Sequence, residues 1–293
     1  MRLAYQPGPA SLPMEMAERT GILARNGLHL VRTEGNDLTV LTTAMAQGQY
    51  EVAMSVPTMV LVAAEKGLDV QIVSGLQRSS QANPNLAWVT RDASIASLEQ
   101  LKGRKVAVPA LVGQVTDSFT FLLERRGIGR KDVMFVQAAM PAMADQLNAG
   151  RIDAALLPMN IAGPLARRNG FAVHDDIVAQ AVHEASGATV DAAITLVLVA
   201  RHDYTGRHPE VISAFRRSLN EAIAYLAGHD AEARTTMQEW LKLTPEVAQA
   251  VVLPTWRVEL ESEELAPYVT IARSAGTITQ DPDVERLVWQ APR

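Results

Sequence analysis

The chain contains no cysteine. That excludes disulfides, thiolate metal sites and a cysteine nucleophile. It suits an oxidising compartment, where a stray thiol is a liability, although many cytosolic proteins also lack the residue. No stretch reaches the roughly 18 consecutive apolar residues of a membrane span. No Lys/Arg cluster stands out either. Arg125-Arg126, Arg167-Arg168 and Arg216-Arg217 are isolated pairs, read as solvated charges on helix surfaces. Together with a net charge of −5, this argues against a nucleic-acid partner, which needs a basic face. No GxSxG, P-loop or GxGxxG occurs, and Gly103, Gly127 and Gly150 read as helix stops rather than phosphate cradles. The 6 histidines show no HxxxH or HExxH spacing, so no metal site is expected. His183-Glu184 is the one pair near a candidate loop, and it reads as surface. No signal peptide is expected within these residues either, because residues 2–5 already read as a strand. The expectation is an export signal removed from a periplasmic protein, or a cytoplasmic protein if the chain is complete as given.

What is present is a repeat. Hydrophobic residues make up 48% and charged residues 20% of 293, enough folded chain for two lobes. Residues 48–74 (GQYEVAMSVPTMVLVAAEKGLDVQIVS) and 150–176 (GRIDAALLPMNIAGPLARRNGFAVHDD) make the same move. Each starts at Gly, enters a short apolar strand, breaks at Pro, runs through a helical segment and reaches a second Gly. The similarity extends upstream. RLAYQ, a loop and a helix stopped at Gly27 match KVAVP, a loop and a helix stopped at Gly127. Each half is then a β-α-β-α-β series with right-handed crossovers and mainly parallel strands covered on both faces. The predicted class is α/β, two lobes with a two-strand hinge. Lobe I takes residues 1–89 and 195–293, with a helical tail packed on it, and lobe II takes residues 90–194. NPNLAWVT, which contains Trp88, and AAITLVLVA are the expected hinge crossings. Ligands of such sheets lie beyond the carboxyl ends of the strands, so two lobes let one chain close on a small molecule.

The order LAYQPG, AERTGILARNGLHLVRTEGN, AMAQGQYEVAMSVP and AAEKGLDVQIVS resembles a known group. SLEQLKGRKVAVP, NAGRIDAALLP, RHPEVISAFRRSLNEA and APYVTIARSAGTITQDPDVERLV continue the resemblance. The group is the solute-binding proteins of ABC importers for sulfonates, nitrate, taurine and thiamine precursors, of the type II periplasmic binding protein fold. It covers nearly the whole chain. The resemblance implies two α/β lobes, a ligand in the cleft, an export signal on the precursor, and a membrane permease and ATPase as partners. It implies no cofactor, and the chain is expected to be a monomer.

Candidate ligand residues lie on the strand-end loops. Gln6 and Ser11 follow the first strand, where a helix N-terminus offers free N–H groups, or where Pro7 and Pro9 merely stiffen a turn. Asn36 touches a ligand, or it and Asp37 cap the next helix. Ser55 and Thr58 follow the third strand, a loop that supplies a hydroxyl and amides in the resembling family. Arg78 would pair with a sulfonate or carboxylate, or be solvated. In the second half Gln114, Thr116 and Asn160 hold matching positions. Thr189 and Asp191 precede the returning strand. Trp256 stacks on a ligand or packs the tail. Few of these are charged, which favours an uncharged or singly charged ligand with an apolar body.

The reading is therefore a non-enzymatic receptor for a small organic solute such as a sulfonate or pyrimidine. Cysteine-dependent desulfinases of this architecture are excluded. Pyrimidine synthases resembling these proteins need a Cys-rich metal motif and an active-site His that the chain lacks. A lyase or dehydratase of the menaquinone-precursor type and a ligand-sensing module remain as alternatives.

Overall fold

The repeat becomes two sheets with corresponding strand orders. The computed structural model describes residues 1–291. In them the strands are β1 (Arg2–Tyr5), β2 (Val31–Glu34), β3 (Val52–Ser55), β4 (Gln71–Ser79), β5 (Leu86–Thr90), β6 (Lys105–Val108), β7 (Met134–Gln137), β8 (Ala154–Pro158), β9 (Ala172–Asp176), β10 (Ala193–Ala200) and β11 (Thr255–Trp256). One sheet runs β2-β1-β3-β10-β4-β11 and the other β7-β6-β8-β5-β9. In each, a parallel trio is read from the repeat: β1 pairs with β2 and β3, and β6 with β7 and β8. In each, the fourth place is held by an antiparallel strand, β10 against β3 and β5 against β8. The mainly parallel expectation thus describes the trios and not the whole sheets.

The stops that begin the repeat are used alike. Gly48 and Gly150 take φ of 83° and 66°, the left-handed region that favours glycine. Each also lies under an arginine. A Cβ on Gly48 would stand 2.9 Å from Arg201 Nη1, and one on Gly150 would stand 2.7 Å from Arg91 Nη1. Arg201 Nη1 donates to the Met45 carbonyl at 3.0 Å, near the C-terminus of the helix Leu38–Ala46. A cation there suits the negative end of the helix.

The chain divides into two units. The first comprises Met1–Arg78, Ile194–Leu265 and the residues from 282 onward; the second comprises Ser79–Ala193 and Ala266–Asp281. Each has its own core. In unit 1, Leu3, Met54, Val73 and Leu198 of the sheet meet Ile212, Phe215 and Leu219 of the helix Pro209–Gly228. In unit 2, Val89, Ala107, Ala155 and Leu157 meet Met143, Leu147 and Leu165. Each fully buried Val, Leu, Ile, Met or Phe side chain among these contributes about 1.5–3 kcal/mol.

Two boundaries differ from the sequence reading. The first border falls at Arg78, not residue 89, because β5 is an inner strand of the second sheet, between β8 and β9. Trp88 is therefore a core residue of unit 2 rather than part of a hinge strand; it is buried and stacks on His174 at 3.7 Å. The helical tail is also split. The helix Ala266–Ser274 buries Tyr268, Ile271 and Ala272 within unit 2, and Ser274 Oγ donates to Glu124 at 2.7 Å. Arg216 departs from the solvated reading as well. It donates to the Val73 carbonyl at 2.6 Å and sits over the Trp289 ring at 5.6 Å.

The His174 ring gives unit 2 a pH dependence. Its Nε2 lies 3.0 Å from Thr90 Oγ1, and burial pushes its pKa down, with Asp175 pulling the other way. The fold favours the neutral ring. This stability is fully present above the ordinary histidine value. As pH falls below that value the unfolded chain takes the proton first, and stability is lost. The urea midpoint of unit 2 should fall between about pH 7.5 and 5.5, and His174→Phe should flatten that slope. An identical slope in the variant would disprove the assignment.

Candidate functional site

The candidate residues divide between the units, and most of them lie at or near strand ends. In unit 1 the chain leaves β1 into residues 6–11. Ser11 is fully buried and its hydroxyl is engaged: Oγ lies 2.9 Å from the Gln6 carbonyl and accepts the Gly8 N–H at 3.1 Å. It folds the loop onto itself, leaving the Gln6 side chain exposed. Unit 2 does the same. Thr116, also buried, donates to the Ala110 carbonyl at 2.5 Å, bracing the loop after β6. Both hydroxyls stand three residues after a glycine, in Gly8-Pro9-Ala10-Ser11 and Gly113-Gln114-Val115-Thr116. Gly113 is the N-cap of the helix Gln114–Glu124, and Gln114 is its first residue, buried.

The sequence-remote Trp256 joins the first loop to the end of β4. Its indole Nε1 donates to the Ala10 carbonyl at 3.1 Å, and its backbone pairs with Gln77. Thr195 Oγ1 donates to the Gln77 carbonyl at 3.2 Å. Trp256 is partly buried against the cluster of Leu12, Met16, Leu226 and Met237, so it packs the tail and still leaves part of its ring open. Gln77 and Thr195 were not among the predicted contacts.

The remaining candidates have defined surroundings. Ser55 is buried and accepts from Thr42 Oγ1 at 2.9 Å, while Thr58 lies in the first turn of the helix Pro57–Glu65, 2% exposed. Asn36 is exposed, and capping falls to its neighbour: Asp37 accepts from the N–H groups of Thr39 and Val40. Arg78 is 5% exposed and bound to Glu264 at 2.6 and 3.1 Å and to the Glu259 carbonyl at 3.2 Å. Burial works to raise the Glu264 pKa, but the Arg78 hydrogen bonds, the Glu261 N–H and nearby arginines outweigh it and hold the carboxyl below its usual range. In unit 2, Asn160 is exposed on the second residue of the helix Met159–Asn169. Thr189 and Asp191 lie on a separate loop, where Thr189 Oγ1 donates to the Ser186 carbonyl and Asp191 lies 3.2 Å from His183. That loop holds Ala188 at φ 65°, a conformation unusual outside glycine.

Sequence reasoning missed two clusters. At the end of β2, Glu34 accepts from Tyr5 Oη at 3.1 Å and from Trp240 Nε1 at 3.4 Å, with the two rings stacked at 6.3 Å. Burial, opposed by Arg32 and reinforced by Glu34, pushes the Tyr5 hydroxyl up to about 12. No periodicity signals Trp240, which arrives from the distant helix Asp230–Leu241. The other cluster centres on Asp176. Its carboxylate accepts from Asn85 and Leu86 N–H at 2.9 Å each, from Val178 and Ala179 N–H at 3.0 and 2.9 Å, and from Ser79 Oγ. An Asp before an apolar helix is a capping signal in a sequence, but the reach of Asp176 to residues 79–86 has no local signal. An open pocket of about 420 Å³ in unit 1 is lined by Gln71, His202, Thr205, Glu285 and Trp289. It adjoins the start of β4, whereas Gln77 and Trp256 mark its other end, so it is not part of these strand-end sets.

The family described as NMT1/THI5 like matches residues 9–233. The chain belongs to this family. No curated protein matches it. Among solved structures, the NMT1/THI5-like chain is similar to the periplasmic aliphatic sulphonate binding protein SsuA from Escherichia coli. The identity is 15% and the TM-score 0.82, over 100% of this chain and 92% of that one. It is also similar to the alkanesulfonate-binding protein SsuA from Xanthomonas axonopodis pv. citri bound to MOPS, at 16% identity and TM-score 0.78, over 99% and 97% of the two chains. A third is the Candida albicans CA3427 gene product, described as having the generic periplasmic binding protein fold, at 16% identity and TM-score 0.73, over 99% and 96%. At these identities the likeness is one of fold. The NMT1/THI5-like chain has the two-lobed periplasmic binding protein fold.

Proposed function

We propose that the protein is a solute-binding receptor that captures a small organic molecule and delivers it to the permease and ATPase of an ABC importer. The observation that carries this is the doubled strand-end loop. Each unit offers a Gly-x-x-Ser/Thr turn, braced by its own buried hydroxyl, at the end of the first strand of its parallel trio. A loop that is already held needs little ordering on binding, which favours affinity. Named neighbours over the whole chain are binding proteins, which supports a receptor over an enzyme. The periplasmic setting of the Escherichia coli protein supports the same location here, and on this reading the receptor acts as a monomer.

The ligand on this reading is uncharged or singly charged, with an apolar or ring-bearing body. Arg78 is occupied by Glu264, while Gln6, Gln77, Thr58, Gln114 and Asn160 are neutral, and Trp256 offers an aromatic face. Thermal unfolding against sulfonates, taurine, nitrate, pyrimidines, aromatic carboxylates and small amides tests this. A ligand at about 100 times its Kd adds about 2.7 kcal/mol. Trp256→Ala should weaken the best ligand about tenfold or more. A hit recovered chemically changed would replace the receptor with an enzyme. A hit that binds Trp256→Ala equally well would remove Trp256 from the site.

A further inference from the structure

The two units are joined by more than two strands. The chain passes between them at 78/79, 193/194, 265/266 and 281/282. The first border lies inside β4 and the second inside β10, so both fall where the backbone is extended and paired. The side chains flanking the first border are held on opposite sides. Arg78, its last residue in unit 1, is buried and makes two hydrogen bonds to the Glu264 carboxylate. Ser79, the first residue in unit 2, donates to Asp176, which also gathers the N–H groups of Asn85 and Leu86. Glu264 stands one residue before Leu265, the last residue of unit 1 at the third border. A single ion pair therefore links the chain at its first and third borders, entirely within unit 1.

We propose that Arg78 and Glu264 are positioning residues for the motion between the units: their pair yokes the first and third crossings so that both bend together, at the linkage between Arg78 and Ser79. The paired fork of Arg78 fixes direction as well as distance, which a point charge does not. With Ser79 pinned to Asp176, few torsions between the two anchors stay soft. Without the yoke, the segments at 78 and 265 pivot independently, and the paths open to the units multiply. This gives Arg78 a role other than touching solute. It rests on the receptor reading only for the purpose of the motion.

The absence of cysteine makes the test clean, since two introduced thiols are the only ones. Nitroxides at Val31→Cys and Met134→Cys, both exposed and in different units, report the inter-unit distance by pulsed dipolar spectroscopy without ligand. A second pair, Val31→Cys and Val252→Cys, lies within unit 1. In Glu264→Gln the inter-unit distribution should roughly double in width while the unit 1 pair stays unchanged. Arg78→Lys keeps the charge, loses the fork and should broaden it in the same sense. The proposal is overturned if both variants keep the parent's inter-unit width, if the unit 1 pair broadens equally, or if neither variant folds. Because no solute enters the experiment, such a result leaves the receptor reading standing.

Discussion

Asp176→Ala should destabilise unit 2 by about 3–5 kcal/mol. The carboxylate is fully buried and receives five donors, four of them backbone N–H groups. Loss of the helix cap alone costs about 1 kcal/mol. The remaining cost comes from the Leu86 N–H and the Ser79 hydroxyl, left buried without this acceptor, while the Asn85 N–H keeps Ser79 Oγ at 2.9 Å. Asp176→Asn does not escape this. Whichever way the amide turns, its NH2 faces either Val178 and Ala179 or Ser79, Asn85 and Leu86. Asp176→Ser can still cap the helix and should recover about 1 kcal/mol relative to alanine. Trp88 is the one tryptophan of unit 2, so a variant that keeps only Trp88 follows this unit by fluorescence during urea unfolding. A loss under about 1 kcal/mol in Asp176→Ala would show that water replaces the carboxylate.

Gly75→Ala should cost at least about 2–3 kcal/mol, where a change of this type at an unstrained site usually stabilises. Gly75 lies inside β4, and its N–H donates to the Val258 carbonyl at 2.9 Å. A Cβ there would stand 2.5 Å from the Arg257 carbonyl oxygen and 3.5 Å from those of Val258 and Glu259. These are backbone atoms, so no side-chain rotation relieves the clash. The segment must lift, and it carries Trp256 at one end and Glu259, whose carbonyl receives Arg78, at the other. Solute affinity should therefore fall along with stability. Denaturant unfolding and a binding titration on one variant read both; neutral stability would mean that residues 257–259 do not press on β4.

The sequence carried the repeat further than the borders. Gly stops and the alternation of short apolar strands with helices specify the parallel trios, because hydrophobic period and turn chemistry are local. The antiparallel fourth strand has no local signature. β5 and β10 are apolar runs that could belong to either sheet, and their place is decided by pairing with β8 and β3. The helix Ala266–Ser274 misled for the same reason: its apolar face states that it packs, not on what. Loop positions were legible because ligand loops follow strand ends. The state of each side chain was not. Ser11, Thr116 and Arg78 are polar residues in the expected places, yet each is turned to the protein itself. Trp240 and Glu34 meet only because a helix some two hundred residues away returns to β2.

The strand orders also set a timetable for synthesis. β10 lies between β3 and β4, with both neighbours made more than a hundred residues earlier. As the chain leaves the ribosome, the first sheet therefore stands open, with β3 and β4 lacking their partner. Residues 79–176 meanwhile supply every strand of the second sheet. The sheet whose first strand appears earliest is the one completed last, when β10 and then β11 arrive. Until then its unpaired edges are exposed to other chains, which makes this interval the one in which a nascent-chain chaperone has most to protect.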